Sequence, residues 1–279
     1  MPPGSCITAM SPAAPERAGD FSWVGLLTDD VERAKHFYGE LLGWTAEPGP
    51  TPDARRYQVM RLQGEPVALM YEIAAWQRQL GAPTNWATSV CVDDVTESVA
   101  RAVKLGAGLA IAPYEVKGAA RIAVVTDPLG ARLSLWQPLG GLAPSRGGRV
   151  GTRCWNELAT DDVEAAGEFY MGLFGWELHR EPNGYRIVSN RGVAQGGIRA
   201  LGARGRGRPH WLPYFRVGSV DDALERCTES GGQVAEPPCD GPVAVVRDRA
   251  GASFGVCARL PSASGAASAS GGEPAAPAA

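Results

Sequence analysis

Two stretches of the chain, residues 22–44 and 154–176, share one pattern of apolar and polar positions. Each begins with a short run that ends at a Thr-Asp-Asp triplet, and a longer amphipathic segment follows. Asp29 is the predicted N-cap of that segment in the first stretch, and Gly43 is its predicted end. The apolar positions between them are spaced i, i+3, i+4, i+7 and i+8, as in a helix with one buried face: Ala34, Phe37, Tyr38, Leu41 and Leu42.

The remainder of this unit consists of strand-like runs. Residues 56–64 and 66–73 are two such runs, joined by a turn around Gly64. The order then restarts with a strand over 86–92, an Asp-Asp cap, a helix over 95–105 and three further strands. The second half of the chain repeats both units. The predicted fold is therefore α+β, with four βαβββ units in two tandem domains. Helices cover one face of each sheet, and the other face of each sheet is predicted to curve around a cavity.

Self-similarity sets the domain boundaries. Aligning Thr28 with Thr160 matches most of the following helix, and the turn at Asp127 matches the turn at Asp248. A repeat of this length indicates duplication of a whole domain. The predicted domains span 20–140 and 151–260, separated by a linker over 141–150. The terminal segments 1–19 and 261–279 are rich in Ala, Ser, Gly and Pro and are predicted to be disordered.

Charge and cysteine content narrow the class of protein. The 279 residues carry a formal net charge of −3, which favours no nucleic-acid partner, and residues 199–208 are interpreted as a solvated basic loop. The six cysteines form no Cys-x-x-Cys pair. The N-terminus lacks the features of a signal peptide, and no apolar run is long enough to cross a membrane. We therefore expect a cytoplasmic protein, monomeric or homodimeric, with no membrane partner.

The doubled Asp…Phe-Tyr…Gly-Trp signature and the Asp-Pro-Leu-Gly turn at 127–130 resemble the vicinal oxygen chelate superfamily. This superfamily includes glyoxalase I, extradiol dioxygenases, fosfomycin-modifying enzymes and bleomycin-binding proteins. The resemblance covers residues 20 to 260 and is closest to two-domain actinobacterial members. It implies the βαβββ fold, but not one activity, because this scaffold hosts isomerases, dioxygenases, transferases and simple binding proteins.

The resemblance also implies where metal ligands would lie. Catalytic members carry a ligand, usually His, on the first strand of a unit and a Glu on the last strand, and Glu72 and Arg199 lie near a further ligand place. The first- and last-strand positions in this chain are Trp23, Ala87, Ser134, Trp155, Leu212 and Gly255. These side chains are poor ligands for a divalent ion. We therefore expect no metal and no other cofactor.

Strand alternation predicts which side chains face the two cavities. Predicted ligand-binding residues are Trp23, Trp155, Arg216, Trp136, Ser134 and Leu212. Predicted acid–base residues are Glu157, Tyr214 and His210. Each assignment has a structural alternative: the tryptophans can be core residues, and Glu157 with Arg216 can be an ion pair that only closes the cavity.

Three functions follow from these residues. The first is metal-independent binding of an apolar or aromatic small molecule, such as a polyketide-like natural product or antibiotic. The second is a metal-free cyclase, isomerase or lyase of secondary metabolism, in which Glu157 transfers a proton. The third, metal-dependent dioxygenase or glyoxalase chemistry, is disfavoured by the residues at the ligand positions.

Overall fold

The computed structural model describes residues 16–49, 57–79, 82–116, 118–140, 143–145, 148–201, 207–238 and 242–259. The segments predicted to be disordered, 1–19 and 261–279, lie outside these residues except for 16–19. Their predicted disorder, like the domain boundaries, stays a prediction.

The described residues form sixteen strands and five helices, eight strands in each half of the chain. The first half contains β1 (Phe21–Thr28), α1 (Val31–Leu42), β2 (Thr45–Pro48), β3 (Tyr57–Leu62), β4 (Glu65–Glu72), α2 (Ala75–Gln79), β5 (Asn85–Cys91), α3 (Val95–Lys104), β6 (Gly108–Val116), β7 (Ala120–Thr126) and β8 (Arg132–Pro138). The second half contains β9 (Arg153–Thr160), α4 (Val163–Phe174), β10 (Glu177–Arg180), β11 (Arg186–Asn190), β12 (Val193–Ala200), β13 (His210–Arg216), α5 (Val220–Glu229), β14 (Gln233–Glu236), β15 (Val243–Arg247) and β16 (Ser253–Cys257).

Each half forms one mixed, curved sheet. The strand orders are β2-β3-β4-β1-β5-β8-β7-β6 and β10-β11-β12-β9-β13-β16-β15-β14, so the two sheets have the same topology. In both sheets, the first strands of the two units pair antiparallel at the centre. On its other side, each of these strands pairs parallel with the last strand of its own unit. The predicted α+β fold of four βαβββ units in two tandem domains is confirmed.

The major helices begin at side-chain caps, as the sequence predicts. Asp30, Asp94 and Asp162 each accept a hydrogen bond from a backbone N–H in the first turn that follows. The prediction of Asp29 as the cap of α1 is wrong by one residue, because Asp30 has the extended backbone of a cap and accepts from Arg33 N. Among the described helices, none combines the length and the apolar character required to cross a bilayer.

The outer faces of the two sheets pack against each other, with helices between them on both sides. One core joins α1 and its strands in the first half to α5, β15 and β16 in the second half. The other core joins α3, β7 and β8 to α4 and its strands. Each core therefore combines one unit from each half of the chain, so neither sheet covers its apolar outer face alone.

Two equivalent buried clusters of polar groups connect the halves. The Tyr38 hydroxyl donates to Asp248 Oδ2 at 2.9 Å and accepts from Trp86 Nε1 at 3.0 Å. The Tyr170 hydroxyl donates to Asp127 Oδ2 at 2.8 Å and accepts from Trp211 Nε1 at 2.9 Å. Burial raises the pKa of both tyrosines well above the ordinary value, so both hydroxyls keep their protons. These contacts explain why a tyrosine occurs at the same position of both helices.

The Asp-x-x-Gly turns complete these clusters. Asp127 Oδ1 accepts hydrogen bonds from the backbone N–H groups of Leu129 and Ala131, and Asp248 Oδ1 accepts from Ala250 and Ala252. Each carboxylate thus closes its own turn with one oxygen and holds a tyrosine of the opposite half with the other.

The tryptophans that follow helices α1 and α4 also bond across the halves. Trp44 Nε1 donates to the carbonyl of Gly151 at 2.7 Å, and Trp176 Nε1 donates to the carbonyl of Gly19 at 2.7 Å. Both side chains are buried. Tryptophan therefore repeats at this position because in both halves its side chain packs in a core and its N–H donates a hydrogen bond to a backbone carbonyl.

Tyr170→Phe tests the contribution of the buried clusters. The variant leaves the Trp211 N–H and one oxygen of Asp127 without their partner, so we expect a loss of about 1–3 kcal/mol in the free energy of unfolding. Urea unfolding followed by tryptophan fluorescence measures it. The matched control is Tyr57→Phe, whose hydroxyl makes no hydrogen bond among the described residues and which should change stability by less than about 0.5 kcal/mol. Equal losses in both variants would contradict the assignment.

Candidate functional site

The inner face of the first sheet, here called the first cup, is occupied by side chains. Its buried cluster is hydrophobic, and half-buried tyrosines and a valine pack against it. Trp23 and Trp136 lie within it with ring centroids 6.0 Å apart, and only 2% and 5% of their surfaces are exposed. The other buried members are Val59, Leu69, Ala120 and Ile122, and the half-buried ones are Tyr57, Tyr71, Tyr114 and Val116. The predicted inward direction of both tryptophans is thus what the structure has.

The inner face of the second sheet, the second cup, contains a polar cluster around Glu157. Its Oε1 accepts hydrogen bonds from Tyr214 at 2.9 Å and from Arg199 Nε at 2.6 Å. Its Oε2 accepts from the Tyr185 hydroxyl at 3.0 Å, and that hydroxyl accepts from Trp155 Nε1 at 2.9 Å. Glu157 therefore has three donors and the charge of one arginine around it.

Electrostatics keep the tyrosines of the second cup protonated. Burial, reinforced by the neighbouring Glu157 carboxylate, raises the pKa of Tyr185 and Tyr214 well above the ordinary value. Both hydroxyls thus act as donors to Glu157 at neutral pH. Arg199 is also partly buried, and although burial lowers its pKa, the attraction of Glu157 more than offsets this and the net pKa is raised.

Two glycines make room for these tyrosine rings. A Cβ at Gly255 would overlap the ring of Tyr214, and a Cβ at Gly197 would overlap the phenol of Tyr185. Gly255 is the position at which the superfamily resemblance places a metal-ligating glutamate. A tyrosine ring therefore lies over this place in the second cup.

The strand register identifies the inward side chain of the fourth strand and corrects one prediction. Tyr71 pairs with Leu27 and packs in the first cup, whereas Glu72 pairs with Thr28 on the helix side. Glu72 forms an ion pair with Arg78 at 3.0 Å and lines a cleft of about 340 Å³ beside the start of α1. The inward ligand place of the first cup is therefore occupied by Tyr71 and not by Glu72. Arg199 is the residue equivalent to Tyr71 in the second cup.

The residues at the superfamily's metal positions do not fit a metal ion. These inward positions are Trp23, Tyr71, Ala87 and Ser134 in the first cup, and Trp155, Arg199, Leu212 and Gly255 in the second. A catalytic zinc-type site needs about three His, Cys or carboxylate ligands. Within the described parts of the chain, no group of three such residues is placed to hold a metal ion.

Arg216 lies near two thiols rather than beside Glu157. The alternative in which Glu157 forms an ion pair with Arg216 differs from the structure, in which Arg199 on β12 forms that ion pair. The charge of Arg216 acts on Cys154 and Cys257, whose sulfur atoms are 2.7 Å apart. Their mutual hydrogen bond lowers the pKa of Cys257 and raises that of Cys154.

The other predicted acid–base and binding residues divide between the two cups. Tyr214 contacts Glu157, whereas His210 lies at the start of β13 with Nδ1 2.9 Å from the carbonyl oxygen of Arg208. Leu212 is buried directly opposite Glu157, and Ser134 is half-buried on the inner face of β8, opposite Ser89. The structure thus brings Glu157, Tyr214 and Trp155 into one cluster and places His210 outside its hydrogen bonds.

Sequence reasoning does not find Tyr185 and does not find the contact of Arg199 with Glu157. It places Arg199 both near a ligand place of the superfamily and at the start of a solvated basic loop, and in the structure Arg199 is the inward residue next to the end of β12. Tyr185 precedes β11 and reaches Glu157 from there. The alternation Gly197, Arg199 along β12 was the available signal for Arg199, whereas the position of Tyr185 depends on a loop that alternation does not describe.

Solved structures with this fold include metal enzymes. The Mn(II)-bound glyoxalase from Novosphingobium aromaticivorans superposes with a TM-score of 0.59 at 14% identity, covering 87% of this chain and 83% of that one. The 2,3-dioxygenase LapB from Pseudomonas sp. KL28 superposes with a TM-score of 0.58 at 13% identity, covering 88% and 93%. At such low identity these likenesses establish the fold, which is that of the vicinal oxygen chelate superfamily.

Sequence comparison identifies the family within that fold. The profile of the glyoxalase-like domain matches twice, over residues 23–136 and 156–257. The chain belongs to the glyoxalase-like domain family, in two tandem copies. It is 32% identical over 255 residues to a Mycobacterium bovis protein named "Putative glyoxylase CFP32", with 88% of this chain and 97% of that protein covered. It is 31% identical over 268 residues to "Anthracycline biosynthesis protein DnrV" of Streptomyces peucetius, with 90% and 94% covered.

Glu157→Gln tests the polar cluster of the second cup. The variant removes the nearer of the two carboxylates that pair with the quarter-exposed Arg199, at 2.6 Å, so we expect a loss of about 1–3 kcal/mol in the free energy of unfolding. The control is Glu236→Gln, because Glu236 meets the same arginine at 3.4 Å with a side chain that is 61% exposed. Its expected effect is below about 0.5 kcal/mol. Urea unfolding of the wild-type protein and the two variants measures both free-energy changes. Equal losses in the two variants would contradict the role of Glu157 as the centre of the polar cluster.

Gly255→Ala tests the packing of Tyr214. The added methyl group would displace the tyrosine ring and weaken its hydrogen bond to Glu157, so we expect a loss of about 1–3 kcal/mol. Gly218→Ala is the control, because its methyl group would meet no atom within 4 Å. Thermal unfolding monitored by near-ultraviolet circular dichroism compares the two. A Gly255→Ala protein as stable as the control would show that Tyr214 does not need this space.

Proposed function

We propose that this protein binds a flat, mostly apolar aromatic small molecule on the inner face of a sheet, without a metal ion. The observation that supports this proposal is the replacement of the superfamily's ligand positions by aromatic and small residues. In the first cup these are Trp23, Tyr71, Ala87 and Ser134. Such a surface offers ring faces and apolar area to a ligand, but no set of metal ligands.

The names of two similar proteins support a role in secondary metabolism. One relative is named for anthracycline biosynthesis in Streptomyces peucetius, and a second, 30% identical over 278 residues, carries the same description in Streptomyces sp. strain C5. Anthracyclines contain planar fused aromatic rings, and a compound of this shape suits an aromatic cup. We therefore propose an aromatic, polyketide-like natural product or antibiotic as the ligand class.

Stacking gives an estimate of what each ring contributes. A ligand ring packed on one indole gains roughly 0.5–1.5 kcal/mol beyond the burial of its area. Because Trp23 and Trp136 are nearly inaccessible, ligand entry requires the half-buried side chains at the rim, Tyr57, Tyr71 and Tyr114, to move. Rearrangement of side chains on binding is common and does not require the backbone to change.

Isothermal titration calorimetry of the purified protein with an anthracycline tests the proposal. We expect saturable binding whose dissociation constant is the same with and without EDTA, and substoichiometric metal by mass spectrometry of the protein. Loss of binding in EDTA, or turnover that appears on addition of Mn²⁺, Fe²⁺, Ni²⁺ or Zn²⁺, would contradict metal-independent binding. Absence of binding would contradict the ligand class.

A second candidate is metal-free proton transfer, and the observation in its favour is the burial of Glu157 beside two tyrosine hydroxyls. Against it, the carboxylate already accepts from three donors, so a substrate proton would have to compete with them. Glu157→Gln separates the two functions. Binding without catalysis predicts unchanged ligand affinity and no product by mass spectrometry, whereas proton transfer predicts a product that disappears in the variant.

A further inference from the structure

We infer that the first cup is the binding cup, and that the indole N–H groups of Trp23 and Trp136 bind acceptor oxygens of an aromatic carbonyl compound of the quinone type. This inference deepens the proposed function and rests on it. It begins with an unusual feature of the two side chains. Both are at least 95% buried, and neither Nε1 atom has a hydrogen-bond partner among the described residues.

Other tryptophans of this chain show that such donors are normally satisfied. Seven of the eight tryptophan side chains are described, and the five outside the first cup all donate to an oxygen. Their acceptors are backbone carbonyls or tyrosine hydroxyls, at Trp44, Trp86, Trp155, Trp176 and Trp211. A buried donor without a partner is costly, and native proteins contain few of them. Two neighbouring ones, in the concave face of a sheet, point to acceptors supplied from outside the chain.

The second cup provides the internal comparison. Trp155 holds the same position as Trp23, but its N–H donates to Tyr185, which in turn donates to Glu157. At the position equivalent to Glu157 the first sheet has Gly25, since both pair with the corresponding residue of the neighbouring central strand. The second cup is thus closed by its own hydrogen bonds, whereas the first cup has donors available to a ligand.

The surroundings of the two N–H groups indicate what carries the acceptor. Apolar side chains and tyrosine rings form the cluster, so the ligand body is aromatic and uncharged where it lies in the cup. Small residues, Gly25, Ala87 and Ser134, lie on the inner faces of three central strands. A carbonyl oxygen accepts a hydrogen bond and brings no proton of its own into this apolar cluster, whereas a hydroxyl or a water molecule does. A ring carbonyl therefore fits best.

Two matched probes test the inference by isothermal titration calorimetry. Anthraquinone-2-sulfonate carries two ring carbonyls, and anthracene-2-sulfonate has the same ring system and charge without them. We expect the quinone to bind at least about tenfold more tightly to the wild-type protein, because two hydrogen bonds distinguish the probes. Equal affinities would overturn the inference and leave the proposed function standing, whereas failure of both probes and of an anthracycline would contradict the proposed function itself.

Trp→Phe variants assign the effect to a cup. Trp23→Phe and Trp136→Phe keep an aromatic ring and remove the donor, so each should lower the quinone-to-anthracene affinity ratio about threefold to tenfold. The matched control Trp155→Phe should leave that ratio unchanged. A ratio that falls in Trp155→Phe, and not in the other two variants, would overturn the assignment to the first cup.

A measurement on the wild-type protein covers the case in which a variant does not fold. In ¹H–¹⁵N spectra, two indole resonances should move downfield on addition of the quinone and not on addition of the anthracene, because they gain an acceptor. An adjacent ordered water as the resident acceptor would instead leave these resonances unmoved by the quinone, and that result would overturn the inference.

Discussion

The hydrogen bond between a helix tyrosine of one half and a turn aspartate of the other is the contact on which the remaining architecture depends. It occurs twice, at Tyr38 with Asp248 and at Tyr170 with Asp127. Each carboxylate is buried and also closes its own turn, so the helix and turn positions are set together. Because each contact crosses between the halves, the two sheets are fixed outer face to outer face. Burial raises the pKa of Asp248, so its tyrosine and backbone donors offset a real cost of desolvation.

This arrangement leaves the inner faces free to differ. The outer faces must satisfy two shared cores, and this explains why the helix residues and the two Gly-Trp pairs repeat in both halves. The inner faces contact neither core, and they have diverged. The second cup contains an ion pair with three donors on one carboxylate, whereas the first contains two indole donors in an apolar cluster. One scaffold thus carries two inner faces of different chemistry.

The errors of sequence reasoning have a common physical origin. The helix cap was assigned to Asp29 instead of Asp30, and the inward residue of the fourth strand to Glu72 instead of Tyr71. Each is a shift of one residue, and in a strand such a shift moves a side chain to the opposite face. An ion pair of Arg216 with Glu157 is one alternative that the sequence leaves open, because strand alternation places both on inner faces. Alternation specifies the face but not the partner, and Arg199 on the strand at the other side of β9 is closer.

What the sequence by itself determined is the set of periodic features: four repeated units, the helix faces, most strand faces and the residues at the first- and last-strand metal positions. These follow from local spacing and from the comparison of two copies within one chain. The tertiary structure decided which unit shares a core with which, and which donors have acceptors. Trp155 Nε1 donates to Tyr185, whereas Trp23 Nε1 has no partner in the part of the chain that the structure describes, and both outcomes depend on side chains far apart in the sequence. Hydrogen-bond partners are fixed by three-dimensional packing and cannot be predicted from the periodicity of the sequence.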